Sequence, residues 1–275
     1  MKPEYERYFR GNLPHIWCAG CGNGIVMSAW ACAMAQLDLD PNRVIGISGI
    51  GCSSRITGYL DLNTMHTTHG RALAFAAGAK MAQPDMDIFV FSGDGDCAAI
   101  GGNHFIHACR RNMDMTLIVI NNHIYGMTGG QFSPLTPFGK KATTAPYGTV
   151  DHPFDIVKLA LGAGASFVAR GDIFHAKQLT DLIVAGYRHK GFSVIEVIAS
   201  CPISYGRRNG MPEPADMMQH IKTHCISQAQ ADKLPPEELE DKHIIGIFRE
   251  EQKPEYVEEY TRLCSIAKGG AGDDK

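Results

Sequence analysis

The residues of this chain best suited to chemistry are the segment Gly93-Asp94-Gly95-Asp96 and the pair Asn121-Asn122, which a helix-length stretch separates. Asp94 offers a hard carboxylate oxygen to a hard cation, and the flanking glycines let backbone approach a phosphate closely. Asn122 adds a carboxamide oxygen. Together they could hold a divalent metal against a diphosphate, with coordination positions left for phosphate oxygens and water. Gly-Asp-Gly alone is also ordinary turn chemistry, and Asn-Asn an ordinary loop start. The difference lies in what positions them. Phe89-Val90-Phe91 reads as a buried strand running into Gly93, and Leu117-Ile118-Val119-Ile120 as a second one ending at Asn121. In a parallel sheet both ends reach one edge, where α/β folds bind ligands.

Strand and helix alternate around these two segments. Helices are expected from Ile25 to about Leu37, from His69-Gly70-Arg71 to about Ala82, over Asn103–Arg111, and near 154–161 and 174–188. Buried strands are expected at Arg43–Ser48, Ile88–Phe91, Leu117–Ile120, Ser166–Ala169 and Val194–Ala199. Short connections between them specify an α/β fold, a doubly wound, mostly parallel sheet with helices on both faces. Residues 126–152 break the rhythm, and a loop this long beside a ligand edge is more often functional than spare. From Met211 the composition turns polar. The expected organisation is therefore one ligand-binding domain over 1–210, then a helical extension and tail over 211–275 that is not an independent domain, with Gly269–Lys275 frayed.

A length of 275 residues allows one large core or at most two small ones. A formal charge of −3 gives no electrostatic case for nucleic acid or an anionic membrane. No apolar run approaches the roughly 20 residues of a membrane span. The segment Met1–Arg7 lacks a basic region followed by an apolar stretch, so a cytoplasmic location is expected. The chain has 9 cysteines, an odd number scattered along it, which argues against a disulfide scaffold. Cys32, Cys97, Cys109, Cys225 and Cys264 lie in helical or strand-like contexts and read as buried thiols.

Cys18, Cys21, Cys52 and Cys201 instead occupy loops rich in Gly, Ser or Pro. Cys18-x-x-Cys21 alone is compatible with a zinc knuckle, a redox dithiol or half of an iron–sulfur site. A thioredoxin-type site is disfavoured because the motif precedes the first strand, and no second Cys-x-x-Cys is present to complete a zinc ribbon. Cys52 follows the first strand and Cys201-Pro202 the last. Both therefore belong at the carboxyl edge that carries Asp94 and Asn122.

The paired Gly-Asp-Gly and Asn-Asn resemble the thiamine diphosphate motif of thiamine-dependent enzymes, which implies Mg²⁺ held by Asp94, Asn122 and the Ile124 carbonyl. Over residues 14–210 the chain further resembles the thiamine-binding β subunit of 2-oxoacid:ferredoxin oxidoreductases. The matching stretches are Trp17–Gly24, Gly49–Arg55, His69–Ala72, Gly93–Asp96, Asn103-His104, Asn121–Gln131 and Cys201-Pro202. The resemblance implies a 4Fe-4S cluster on Cys18, Cys21, Cys52 and Cys201. It also implies a thiamine site lined by Ile50, Gly51, Cys52, Ser53, His69, Gly95, Asp96, Gly126 and Met127.

The implied activity is oxidative decarboxylation of a 2-oxoacid with coenzyme A, electrons leaving through the cluster to ferredoxin. The cofactor carries the chemistry and the protein orients it, so no catalytic side chain is required. His69, His104 and His123 are candidate proton shuttles, with His69 the favoured cofactor contact. Thiamine enzymes also need a glutamate from a pyrimidine-binding domain. Only one doubly wound unit is visible here, so that glutamate should come from a separate α subunit, with small γ and δ subunits as further candidates. Gly129 lacks the lysine some relatives carry. Arg207-Arg208 could serve a dicarboxylate or be a solvated basic pair. The Cys201–Asn209 stretch looks most like 2-oxoglutarate-specific members, ahead of branched-chain 2-oxoacid (2-oxoisovalerate) and pyruvate enzymes. Two rivals are a thiamine decarboxylase without redox chemistry and a non-catalytic, zinc-binding scaffold subunit on the same fold.

Overall fold

The structure is a computed structural model describing residues 3–269. Beyond Gly269, the tail expected to fray lies outside the described residues. Ten strands follow in chain order: β1 Val44–Ser48, β2 Asn63–His66, β3 Asp87–Gly93, β4 Met115–Asn121, β5 Ile124–Tyr125, β6 Gln131–Phe132, β7 Phe167–Asp172, β8 Phe192–Ile198, β9 Cys225–Ser227 and β10 His243–Glu250. Eight of them form one sheet in the order β2-β1-β3-β4-β8-β7-β10-β9, and β5 and β6 form a separate hairpin. The strands from β2 to β7 pair in parallel, and β10 runs antiparallel to β7. This is the doubly wound, mostly parallel sheet with helices on both faces that the alternation implies.

Both faces of the central strands are buried, which is why their sequences are continuous apolar runs. Alternate residues still serve opposite faces. Phe89 and Phe91 of β3, with Ile118 and Ile120 of β4, pack under the helices Asn23–Leu37 and Ala176–Arg188. Val90, Leu117 and Val119 point the other way, toward the helices Ala72–Ala82, Gly102–Arg111 and Ile156–Gly162. Trp30 is fully buried on the first face, edge-on to Phe89 and Phe91 at 5.7 and 5.8 Å. Burying each such side chain contributes about 1.5–3 kcal/mol. That burial pins the register of β3 and β4, and with it the level at which Gly93 and Asn121 leave the sheet.

Three elements differ from expectation. The extension beyond Met211 is not purely helical: β9 and β10 join the sheet beside β7, and the helices Pro214–His224 and Tyr256–Ala267 flank them. The β-branched run in His243–Glu250 is the local reason. Asn63–His66, polar and largely exposed, is a strand because β1 offers it a parallel edge. The long loop over 126–152 contains half of the β5–β6 hairpin. Among the remaining cysteines, Cys97, Cys109 and Cys225 are buried as expected, whereas Cys32 and Cys264 are only partly so. No helix among the described residues is long and apolar enough to cross a membrane.

Candidate functional site

At the carboxyl edge of β1, β3 and β4 lies a cavity of about 160 Å³. Its wall includes Asp94, Asn122 and Ile124, together with Ile50, Gly51, Cys52, Ser53, His69, Gly95, Asp96, Gly126 and Met127. Segments far apart in the chain thus meet at one point. Tyr125 and Thr128 complete the wall.

Asp96 is the fastener. One carboxylate oxygen accepts the Gly70 N–H at 2.7 Å, the Ile50 N–H at 3.2 Å and a contact from His69 Nδ1 at 2.7 Å; the other accepts Ser92 Oγ–H at 2.6 Å. It therefore ties the Gly49–Ser53 loop and the His69-Gly70 turn to the end of β3. The approach needs glycine at 49, where a Cβ would fall 2.1 Å from Asp96 Oδ2. Gly95 is required for a similar reason: a Cβ there would enter the Tyr125 ring, whose hydroxyl donates to the Gly95 carbonyl at 3.2 Å.

Asp94 is buried, and Ser133 Oγ donates to its Oδ2 at 2.5 Å. Burial pushes its carboxyl up to about 7 despite that bond and neighbouring backbone N–H groups. A carboxylate so deprived of water, in a cavity walled by backbone and glycines, is a fitting ligand for a hard cation. The Asn122 carboxamide oxygen accepts the Ile124 N–H at 3.3 Å, which holds it at the same wall. These residues fit a Mg²⁺–diphosphate group.

Two of the four loop cysteines reach this cavity. Cys52 is part of its wall, and a Cβ on Gly126 would lie 3.6 Å from both Cys52 Sγ and Cys201 Sγ. The Cys18–Cys21 turn is stitched to the Cys201 loop by Gly22 N–H to the Ser200 carbonyl at 3.1 Å and by Ser200 Oγ–H to the Gly20 carbonyl at 2.8 Å. Burial pushes the Cys21 thiol up to about 12 and Cys52 to about 11; the other three thiols of the quartet add to the Cys21 shift, and Cys201 and Cys18 to that of Cys52. Cys201 is raised as well, also by burial. Thiols this reluctant to ionise become ligands when a metal centre replaces their protons. Among the described residues no three His, Cys, Asp or Glu side chains converge on a single ion.

The other candidates separate clearly. His69 lines the cavity. His104 lies on the helix Gly102–Arg111, in a different depression. His123 is buried, with Nδ1 3.0 Å from the Leu135 carbonyl and its ring between Tyr205 and His243. Desolvation lowers its pKa from the ordinary imidazole value, with the Leu135 carbonyl contact opposing the shift. Arg207 and Arg208 are exposed; Arg208 donates to the Ser204 carbonyl at 2.8 Å and rests against Gly130. Sequence reasoning passed over Ser133, Glu196 and Arg170, and gave Asn121 no role of its own beside Asn122. Ser133 lies within the loop flagged by length, but no spacing ties it to Asp94. A larger cavity, about 880 Å³, runs along the helix Asn23–Leu37 and takes in Cys18 and Cys21 but not Asp94, Asn122 or Ile124.

Residues 49–197 match the family of the thiamine pyrophosphate enzyme, C-terminal TPP binding domain. Over 268 residues the chain is 52% identical to the 2-oxoglutarate synthase subunit KorB of Methanocaldococcus jannaschii, covering 98% of this chain and 99% of that one. The chain belongs to the KorB family of 2-oxoglutarate synthase subunits. A second KorB, from Archaeoglobus fulgidus, is 48% identical over 271 residues, 98% of each chain. Among solved structures, a 2-oxoglutarate:ferredoxin oxidoreductase from Magnetococcus marinus, with 2-oxoglutarate, coenzyme A and succinyl-CoA bound, superposes with a TM-score of 0.86. It shares 30% identity over 98% of this chain and 92% of that one. KorB membership favours the oxidoreductase reading over the decarboxylase and the zinc scaffold.

Proposed function

We propose that this KorB-family chain is the β subunit that binds thiamine diphosphate, Mg²⁺ and a 4Fe-4S cluster. With an α subunit it converts 2-oxoglutarate and coenzyme A to succinyl-CoA and CO2, and the electrons pass to ferredoxin. The observation that carries this reading is the meeting of two centres at one sheet edge. Cys52 lines the cavity of Asp94 and Asn122, and Cys201 lies beside its Gly126 wall.

Thiamine diphosphate would supply carbanion stabilisation at the keto carbon, and the cluster one-electron transfer. The chain supplies the frame. Asp94, Asn122 and the Ile124 carbonyl would hold Mg²⁺. The Ile50–Ser53 loop, Gly95, Asp96, Gly126 and Met127 shape the wall. Asp96 engages His69 through Nδ1, which leaves Nε2 to exchange a proton with a bound ligand. Arg208, beside Gly130, is the candidate for the second carboxylate of the substrate. The pyrimidine-side glutamate would come from the α subunit.

Anaerobic co-purification from the source cell tests this. The expected result is a brown complex with about four iron atoms per chain and bound thiamine diphosphate. It should reduce viologen with coenzyme A and 2-oxoglutarate in preference to 2-oxoisovalerate or pyruvate. Zinc in place of iron, with no thiamine diphosphate, would sink the enzyme reading.

A further inference from the structure

A buried polar network lies behind the Asn121-Asn122 turn. Glu196 of β8 is 2% exposed and uses both carboxylate oxygens: one accepts Asn121 Nδ2–H at 2.8 Å, the other Arg170 Nε–H at 2.6 Å. Arg170 of β7 also donates to Asp155 at 2.6 Å, and Asp155 caps the helix Ile156–Gly162 through the Lys158 N–H. On its other side, Asn121 Oδ1 accepts the His123 N–H at 3.2 Å. His123 stands at φ +63°, a left-handed conformation that a non-glycine residue adopts only with support. The contacts run from Asp155 through Arg170, Glu196 and Asn121 to His123, and so end on both sides of Asn122.

Stability alone is a poor reason for this network. Replacing a buried ion pair by well-packed apolar side chains is often neutral or stabilising. The positions next to Glu196 on β8, Ile195 and Val197, are buried and apolar. Apolar residues cannot, however, orient an amide. Glu196 only accepts hydrogen bonds, so the Asn121 NH2 must face it and the Asn121 oxygen must face the turn. Arg170, itself held by Asp155, fixes the carboxylate plane that enforces this.

We propose that Glu196, oriented by Arg170, is a positioning residue for the cation-binding turn. Through Asn121 it fixes the backbone at His123, and thereby the aim of the Asn122 carboxamide and the Ile124 carbonyl. The inference rests on the reading of Asp94, Asn122 and Ile124 as Mg²⁺ ligands. Removing partners that orient metal ligands typically costs about 10–100-fold in metal affinity.

The test is a Mg²⁺ titration of the assembled enzyme after cofactor removal, at saturating thiamine diphosphate. Tryptophan fluorescence reads it, well below the Tm of every variant. Glu196→Gln leaves either Asn121 or Arg170 facing an NH2 group, and should raise the half-saturating Mg²⁺ concentration at least about tenfold. Asn121→Ala should do likewise, and adding Glu196→Gln to Asn121→Ala should raise it no further, since Glu196 acts only through Asn121. Ile183→Ala, a core change on the helix Ala176–Arg188, should lower Tm and leave the Mg²⁺ requirement unchanged. Should Glu196→Gln fail to assemble, Arg170→Lys takes its place in the same cycle, because it keeps the charge and loses the planar fork. An unchanged Mg²⁺ requirement, or an effect that persists in full without the Asn121 amide, would overturn the role of Glu196 alone. Wild-type binding independent of any divalent ion would overturn the cation reading as well.

Discussion

Asp94 concentrates the local physics of the site. Its carboxyl is driven up to about 7 by burial, so a folded chain carrying a charged Asp94 gains most when a cation takes the place of lost water. Asp94→Ala should therefore abolish retention of thiamine diphosphate through gel filtration, and unchanged cofactor content would refute Asp94 as a Mg²⁺ ligand. Cys52 lines the same cavity and is tied down by its own backbone, since Trp17 Nε1–H donates to its carbonyl at 2.7 Å. Replacing the sulfur leaves this anchor in place. Cys52→Ser should lose the iron and its visible absorption while far-ultraviolet circular dichroism stays that of the wild type. A variant that keeps its iron would remove Cys52 from the ligand set. Both residues are legible in the sequence, because carboxylate and thiol types betray metal chemistry. Ser133 and Asn121 are not, for their part in the site is only to hold another side chain.

Among the elements, the alternating core of β3 and β4 was readable because burial on both faces leaves a continuous apolar run. The strands β9 and β10 were less readable: β9 is only three residues long, and both are partly exposed and defined by what they pair with. This added edge brings a histidine group behind the site. The His220 and His224 rings lie 3.7 Å apart, tilted by 32°, on the helix Pro214–His224, and His243 of β10 stacks on His123 at 5.6 Å. Burial lowers His220 to about 4, with His224, Lys140 and His123 adding to the effect and Asp241 opposing it. In the unfolded chain an imidazole takes its proton near 6.5, whereas the folded chain resists until about 4. The unfolded state thus binds more protons in that window, and stability falls as pH drops through it. Thermal melts should show Tm declining from about pH 6.5 toward pH 4, and declining less steeply in His220→Gln. Equal slopes for the two proteins would show that His220 is not the group responsible.

On the scale of the whole molecule, a cofactor cavity of about 160 Å³ opens at one edge of a single sheet. With one doubly wound unit among the described residues, the purified chain by itself should show no 2-oxoglutarate-dependent viologen reduction, and adding the co-purified partner subunit should restore it. Activity of the isolated chain would show that it supplies the pyrimidine-side glutamate itself. Sequence alone determined the class of fold, and it singled out Asp94, Asn122 and the four loop cysteines as candidates. Apolar periodicity dictates a two-faced parallel sheet, and the order of the motifs along the chain carries the resemblance that makes them candidates. Tertiary structure alone decided that Cys52 enters the wall of the cavity with Cys201 beside Gly126, that Asp96 fastens three segments, and that Glu196 reaches Asn121. The physical reason is distance along the chain: Glu196 and Asn121 are separated by 75 residues and meet only because β4 and β8 are neighbours in the sheet.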